Sequence, residues 1–231
     1  MGWAIAVLVS LGLGVLLWSP PDWLIDRLAA FRPGCLYRAR LQAPLLALTI
    51  DDGPDPVSTP LILAELRQHD AHATFFLISS RLAGREHLVR ELVAEGHELG
   101  NHLTRDAPSI RLPPAAFEQA LLEAHRALAA YGPVRWMRPA SGWYSPTMVD
   151  IIQRHRYRCA LGSIYPLDAT LPWPWFSARY IRRNARPGAI IILHDGGVRG
   201  LRTAKVLRVV LPALRARGYR IVTLTELVGA A

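Results

Sequence analysis

The stretch that decides the fold is LLALTIDDGP, residues 45–54. Its apolar first half predicts a buried strand, and the Gly-Pro pair at its end forces a turn. Two adjacent carboxylates, Asp51 and Asp52, therefore come at the carboxyl end of a strand. Neighbouring strand residues point to opposite faces, but the turn redirects the second one, so one carboxylate is suited to bind a metal ion and the other to move a proton. An ordinary turn is the alternative, because Asp, Gly and Pro are all favoured in turns.

Further apolar strand candidates follow at intervals, with helical patterns between most of them. They lie at about residues 73–78, 97–100, 134–137, 158–161, 189–193 and 219–223. Strands that alternate with helices predict a parallel sheet, and seven of them in one domain predict a barrel or an open α/β sheet. The length of 231 residues fits one domain of this kind.

A second motif supplies candidate metal ligands. The sequence GHELGNHLTRD, residues 96–106, contains His102 and Asp106, which would face the same way if the chain turned helical after His102. Together with Asp52 they make one His and two carboxylates, a set that can bind one metal ion. His97 in the same motif is not part of such a set of ligands, and we predict that it is structural or supports the ligands.

Two later motifs add a guanidinium group and a second imidazole. RWMRPASGWY, residues 135–144, contains Arg138, which can hold a catalytic carboxylate through two hydrogen bonds. Ser141 in its turn is predicted to bind substrate, because its backbone amide can face a substrate oxygen. IIILHD, residues 190–195, ends a strand with His194, which is suited to protonate a leaving amine near neutral pH. Such groups at the ends of four different strands are how a barrel builds an active site.

These four motifs, in this order and roughly this spacing, resemble the successive motifs of the NodB-homology polysaccharide deacetylases, carbohydrate esterase family four. The resemblance spans about residues 45–228. It implies a distorted (β/α) barrel of about seven strands. It also implies a metal-dependent hydrolase that removes an N-acyl group, foremost N-acetyl, from an amino sugar. The implied cofactor is a divalent metal ion, foremost zinc, with cobalt, nickel or manganese as alternatives.

The resemblance implies a role for each matching residue. Asp51 corresponds to the catalytic base, Arg138 to the residue that holds this base, and His194 to the catalytic acid. Asp52 and His102 correspond to two of the metal ligands.

Three features depart from the family pattern. Asp106 stands where the family has a second His, and a second carboxylate shifts the preference of the site toward harder metals. The sequence at 138–141 lacks an aromatic wall of the substrate groove, and the fourth motif keeps only Asp168. We therefore expect an altered groove, with Trp143, Tyr144 and Asp168 among its substrate-binding residues.

Residues 1–19 are predicted to form a transmembrane anchor helix. They include an uncharged apolar segment of 17 residues, from Gly2 to Trp18, which is near the lower limit for crossing a bilayer. A secretory signal is one alternative, although the basic start and cleavage site of such a signal are missing, and a buried core helix is another. Residues 20–44 then form a juxtamembrane connector, and residues 45–231 the catalytic domain.

This organisation predicts a protein of the bacterial inner membrane. The side that the domain faces stays open, because the arginines after the anchor favour the cytoplasmic side whereas the family resemblance favours the outer side. The formal charge is +9 and all but one of the 27 basic residues are arginine, which suits phosphate and carboxylate partners. No nucleic-acid-binding pattern is present. The predicted partners are an amino-sugar glycan or lipid-linked saccharide, together with the membrane.

Two further points complete the prediction. The cysteines, Cys35 and Cys159, have no metal-type spacing and are too few to imply a disulfide framework.

Two other functions remain open, namely a catalytically inactive membrane-tethered glycan-binding protein and a hydrolase of small amides or imides. The presence of the catalytic motif residues favours an active enzyme over the first, and a membrane segment disfavours a soluble small substrate.

Overall fold

The computed structural model describes residues 20–31 and 33–231. The predicted anchor, residues 1–19, lies outside these described ranges. Within them, no helix is both long enough and apolar enough to cross a bilayer. The prediction of a membrane protein with a single anchor helix is wrong on this finding.

The described part of the chain contains eight strands and eight α-helices. The strands are β1 (Cys35–Leu36), β2 (Leu45–Asp51), β3 (Ala73–Leu77), β4 (Glu98–Asn101), β5 (Val134–Met137), β6 (Arg158–Ala160), β7 (Ile190–His194) and β8 (Arg220–Val222). The α-helices are α1 (Asp22–Phe31), α2 (Ser58–Gln68), α3 (Glu86–Ala94), α4 (Pro114–Ala129), α5 (Pro146–Arg154), α6 (Pro174–Asn184), α7 (Gly197–Ala216) and α8 (Leu224–Gly229). The seven predicted strands correspond to β2 through β8.

The strands form one parallel sheet that closes into a distorted barrel. The order is β1-β6-β5-β4-β3-β2-β7, and β8 pairs with the first half of β2. The chain beyond β6 closes the ring, because the backbone amides of Ser163 and Ile164 donate to the carbonyl of Ile190 on β7. The predicted distorted (β/α) barrel is confirmed.

Strand β2 is central to this sheet and is buried along its whole length. Leu46, Leu48 and Ile50 belong to the large core cluster that also contains residues of α2 and α7. Side chains alternate along a strand, so the residues between these three face the opposite side of the sheet. Asp51 is the last residue of that second row, which places its carboxylate at the carboxyl end of the barrel.

The predicted connector contributes structure to the domain. Strand β1 pairs with β6, so the sheet includes residues that precede the predicted domain start at residue 45. A two-residue strand is too short to show a hydrophobic period, which is why the sequence did not reveal it. Arg38 binds Asp26 of α1 through two hydrogen bonds of 2.9 Å, and Arg40 lies 3.2 Å from the same carboxylate. Both arginines entered the prediction of membrane orientation, yet they are paired with this helix.

A disulfide joins Cys35 of β1 to Cys159 of β6, and the two residues are partners in the register of these strands. The sequence did not predict this pair, because 124 positions separate the cysteines and only the fold brings them together. Disulfides are typical of proteins that fold in an oxidising compartment.

Replacing both cysteines, as Cys35→Ser with Cys159→Ser, is expected to lower the free energy of unfolding by about 2–5 kcal/mol, because the link no longer restricts a long loop of the unfolded chain. Urea denaturation of the two proteins measures the loss. The wild type treated with a reductant should reproduce it. An unchanged midpoint in both cases would show that this link does not stabilise the domain.

Candidate active site

A cavity of about 500 Å³ opens at the carboxyl ends of the barrel strands. Of the residues predicted from the sequence, its lining includes Asp51, Asp52, His102, Asp106, Arg138, Ser141, Trp143 and His194. These residues come from the ends of β2, β4, β5 and β7. The parallel sheet therefore brings the four sequence motifs to one site, as expected for a barrel.

Asp51 lies on the floor of this site and is almost completely buried, with an exposed fraction of 3%. Its register partner on the neighbouring strand β7 is His194, so the two side chains belong to adjacent strand ends. Arg138 donates a hydrogen bond of 2.6 Å from Nη1 to Oδ1 of Asp51. From the sequence we expect two hydrogen bonds between a guanidinium group and a carboxylate, and the structure has this one.

All three nitrogen atoms of the Arg138 guanidinium group donate hydrogen bonds. Its Nε donates to the carbonyl of Ala160 at 3.0 Å, its Nη1 to Oγ1 of Thr49 at 2.8 Å, and its Nη2 to the carbonyl of Leu161 at 2.8 Å. The guanidinium carbon also lies 4.2 Å from the centre of the Phe76 ring. Burial lowers the pKa of Arg138, while the neighbouring carboxylate opposes this shift. A guanidinium group so fixed keeps its partner carboxylate in one orientation.

Asp52 reaches the cavity because its backbone adopts a left-handed conformation, with φ of 72°. This is the turn that the Asp-Asp-Gly-Pro sequence indicated. Nδ1 of His102 donates to the carbonyl of Arg138 at 2.8 Å, which leaves Nε2 facing Asp52, 3.5 Å from Oδ1. Burial opposes ionisation of Asp52, but His102, His194 and Arg199 together outweigh it and lower the pKa of Asp52 to about 2. Burial likewise opposes charging of His102, but Asp52 and Asp51 raise its pKa.

This donor pair fits a divalent metal ion. A histidine that ligates a metal commonly donates its other ring nitrogen to a carbonyl, as His102 does to Arg138, and this fixes the ligating nitrogen. Imidazole nitrogen and carboxylate oxygen are both good ligands for zinc and related ions. Asp52 and His102 are therefore suited to hold such an ion.

The predicted third ligand, Asp106, is placed differently. The chain does not turn helical after His102, because Leu103 has φ of 65° and interrupts any helical run. The Asp106 carboxylate is instead bound by two arginines, Arg81 at 2.9 Å and Arg199 at 3.0 Å. Across residues 20–31 and 33–231, no group of three His, Cys, Asp or Glu side chains is arranged to hold a metal ion. The predicted set of three ligands is thus not brought together.

His194 is paired with a buried carboxylate. Its Nδ1 lies 3.1 Å and 3.2 Å from the two oxygens of Asp168, which also accepts a hydrogen bond of 2.9 Å from the His194 backbone amide. Burial opposes charging of the imidazole, but Asp168 outweighs burial and raises the pKa of His194. The ring is therefore held in one orientation and keeps its proton to higher pH than a free histidine.

Comparison with known proteins agrees with these motifs. The polysaccharide deacetylase family matches residues 38–160. A peptidoglycan-N-acetylglucosamine deacetylase of Bacillus cereus is 34% identical over 191 residues, which are 79% of this chain and 87% of that protein. The chain belongs to the polysaccharide deacetylase family. A chitooligosaccharide deacetylase of Bradyrhizobium sp. is also 34% identical, over 194 residues that make up 78% of this chain and 89% of that protein. The predicted family and enzyme class are confirmed.

Solved structures of the family share the fold. A wild-type family pseudoenzyme from Bacillus anthracis matches with a TM-score of 0.78 and 26% identity, over 86% of this chain and 70% of that chain. An acetyl xylan esterase from Clostridium thermocellum, solved in complex with a cobalt ion, matches with a TM-score of 0.74 and 29% identity, over 79% of this chain and 89% of that chain. The barrel of this chain is therefore that of the polysaccharide deacetylase family.

Of the four predicted substrate-binding residues, two line the active-site cavity and two do not. Ser141, with φ of 67°, lies in the turn Ala140–Gly142, and Trp143 is 59% exposed at the cavity wall. Tyr144 lines a neighbouring cavity, where its hydroxyl lies 3.0 Å from that of Tyr37. Asp168 is only 1% exposed, and its carboxylate contacts His194 rather than open space.

Three charged residues that the sequence did not single out support this deacetylase site. Asp195 is fully buried and accepts hydrogen bonds from the hydroxyls of Ser58 and Thr59 on α2, which tie the end of β7 to that helix. Arg81 and Arg199 bind Asp106. The adjacent His-Asp sequence is the one local signal for Asp195. No signal marks the two arginines, since each lies in an ordinary charged segment.

Proposed function

We propose that this chain hydrolyses the N-acetyl group of N-acetylglucosamine units in a glycan of the peptidoglycan or chitooligosaccharide class. One observation carries the proposal. Asp51 and His194 end two adjacent strands in one cavity, and each is held by a buried partner of opposite charge, Arg138 and Asp168 respectively. An oriented base and an oriented acid at one cavity are what amide hydrolysis requires. The activities named for the relatives support the substrate class.

Asp52 and His102 would hold the divalent metal ion, and Asp106 is a third ligand only if it leaves its arginine partners. When bound, such an ion supplies Lewis acidity to the substrate carbonyl and lowers the pKa of water at the site. Zinc remains the foremost candidate, because His102 offers an imidazole nitrogen.

The side chains of the protein carry the proton transfers. Asp51 accepts a proton from the attacking water, and Arg138 keeps its carboxylate in a fixed orientation for this step. His194 donates a proton to the departing amine nitrogen. Asp168 positions the ring of His194 and favours its protonated form, so we assign it a positioning role rather than the substrate contact predicted from the sequence.

A glycan is a better candidate than a lipid-linked saccharide. The lipid-linked alternative depended on the membrane anchor, a prediction that was overturned. The disulfide between Cys35 and Cys159 favours an oxidising compartment, which suits a cell-wall or exported glycan.

Release of acetate from defined substrates tests the proposal. The purified protein is loaded with zinc, cobalt or manganese and given chitooligosaccharides, peptidoglycan fragments, a lipid-linked amino sugar and a small N-acetyl amide. Release from the glycans that stops on chelation supports the proposal. Release from the small amide alone indicates a small-amide hydrolase instead. Glycan binding without release under any loading indicates a glycan-binding protein instead.

Replacing the partner of His194, as Asp168→Asn, is expected to move the alkaline limb of the kcat–pH profile to lower pH. The carboxylate raises the pKa of His194, and the acid must be protonated to act, so activity falls as pH rises through that pKa. Without the negative charge the ring loses its proton at lower pH. The profile of acetate release measures the shift, and Asp150→Asn on the exposed side of α5 is the control. An alkaline limb that stays in place would remove Asp168 from this role.

A further inference from the structure

Arg199 connects two of the predicted metal ligands. Its Nη1 lies 3.0 Å from Oδ2 of Asp52, and its Nη2 donates a hydrogen bond of 3.0 Å to Oδ2 of Asp106. Arg81 binds the same oxygen of Asp106 at 2.9 Å and also donates to the backbone carbonyl of Asp52. The guanidinium group of Arg199 thus joins the two carboxylates at the edge of the cavity, and Arg81 joins the Asp106 carboxylate to the backbone of Asp52.

The position of Arg199 follows from the turn between β7 and α7. Gly196 and Gly197 both have positive φ, at 88° and 55°, which other residues rarely adopt. This turn places Arg199 in the first turn of α7, next to the end of β2. A Cβ atom at Gly196 would lie 3.0 Å from Nη1 of Arg81, so a larger residue here would require the end of the Arg81 side chain to shift.

Arg199 already occupies one oxygen of each carboxylate, Oδ2 of Asp52 and Oδ2 of Asp106. The Asp52 side chain is only 5% exposed and lies between His102 and Arg199, whereas the Arg199 side chain is 32% exposed and can withdraw into solvent. A guanidinium ion and a divalent cation also repel each other when the same carboxylates bind both. Metal binding through both carboxylates therefore requires Arg199 to release them.

We propose that Arg199 is a built-in competitor for the divalent cation, which weakens metal binding and withholds Asp106 from the metal until Arg199 moves away. This inference rests on the proposed function, because it takes Asp52 and His102 as the metal-binding pair. It deepens that proposal by assigning control of metal loading to one arginine of α7.

Metal titration by calorimetry, with zinc and separately with manganese and without substrate, tests the inference. Arg199→Gln is expected to bind the metal about tenfold more tightly than wild type or better, since the competing charge is gone while the side chain keeps its polar end. Arg202→Gln is the matched control. It removes the same charge three residues along the same helix, and in the described part of the chain Arg202 has no ion pair with Asp52 or Asp106. Its affinity should stay close to that of wild type.

A second comparison isolates Asp106. Asp106→Asn is expected to weaken metal binding more in the Arg199→Gln protein than in wild type, because the carboxylate becomes a ligand only after Arg199 has gone. The proposal is overturned if wild type and Arg199→Gln bind the metal with equal affinity, or if Arg202→Gln gains as much metal affinity as Arg199→Gln. It is also overturned if neither wild type nor Arg199→Gln binds the metal.

The titration separates this inference from the proposed function. A protein that shows the expected affinity difference but releases no acetate keeps the inference and loses the function. A protein that releases acetate but shows no affinity difference keeps the function and loses the inference. Thermal melting of each variant shows that a change in affinity does not come from unfolding.

Discussion

Asp51→Asn is expected to lower the rate of acetate release by about 10²–10⁴-fold, the usual contribution of a general base. Asparagine has the same shape but cannot accept the proton of the attacking water. The variant should still bind a metal ion, because Asp52 and His102 are unchanged and His102 keeps its hydrogen bond to the carbonyl of Arg138. Acetate release and metal content, measured on the same preparation, check both parts.

His102→Ala is the contrasting variant, because it should lose the metal ion together with activity. Asp150→Asn, which removes an exposed carboxylate of α5, should change neither. The buried guanidinium of Arg138 loses its counter-charge in Asp51→Asn, so the fold of that variant needs confirmation by thermal melting. A folded Asp51→Asn protein with near-normal turnover would exclude Asp51 as the base.

Arg138→Met is expected to lower the free energy of unfolding by about 3–5 kcal/mol, the range for breaking a buried ion pair. The loss leaves Asp51 charged and buried without its partner, and it removes the bonds to Thr49, Ala160 and Leu161. Activity should fall as well, since the carboxylate of Asp51 is no longer oriented. Urea denaturation and acetate release measure the two effects.

Arg135→Met is the matched control for this change. Arg135 lies on β5 close in sequence to Arg138 but is exposed, so its loss should cost little stability or activity. The double variant Asp51→Asn with Arg138→Met should be less destabilised than the sum of the two single variants, because neither charge is left alone. Equal stability of Arg138→Met and Arg135→Met would contradict a structural role of the buried pair.

The local part of the site could be predicted from the sequence. The apolar run before Asp51 predicts a buried strand, and the period of two along β2 places Asp51 on the inner face. The Gly-Pro turn accounts for the inward position of Asp52. His194 was predictable for the same reason, because it ends the apolar strand β7 in register with Asp51.

The predicted role of Asp106 as a metal ligand requires a helix after His102, and the structure has none there. Four residues of spacing put two ligands on one face only in a helix, and the left-handed Leu103 prevents a helix there. The anchor prediction depended on composition alone. The predicted membrane orientation treated Arg38 and Arg40 as free positive charges, although both are paired with Asp26 of α1.

The sequence by itself determined the alternation of strands and helices and the residues at the strand ends, because these depend on patterns within a few neighbouring positions. The same motifs carried the family resemblance, which implied the barrel. The tertiary structure alone decided the pairing of Arg199 with Asp106 and of Cys35 with Cys159. Arg199 and Asp106 are 93 positions apart, and Cys35 and Cys159 are 124 apart. No local period encodes such contacts, since they depend on how the sheet closes and where each loop turns.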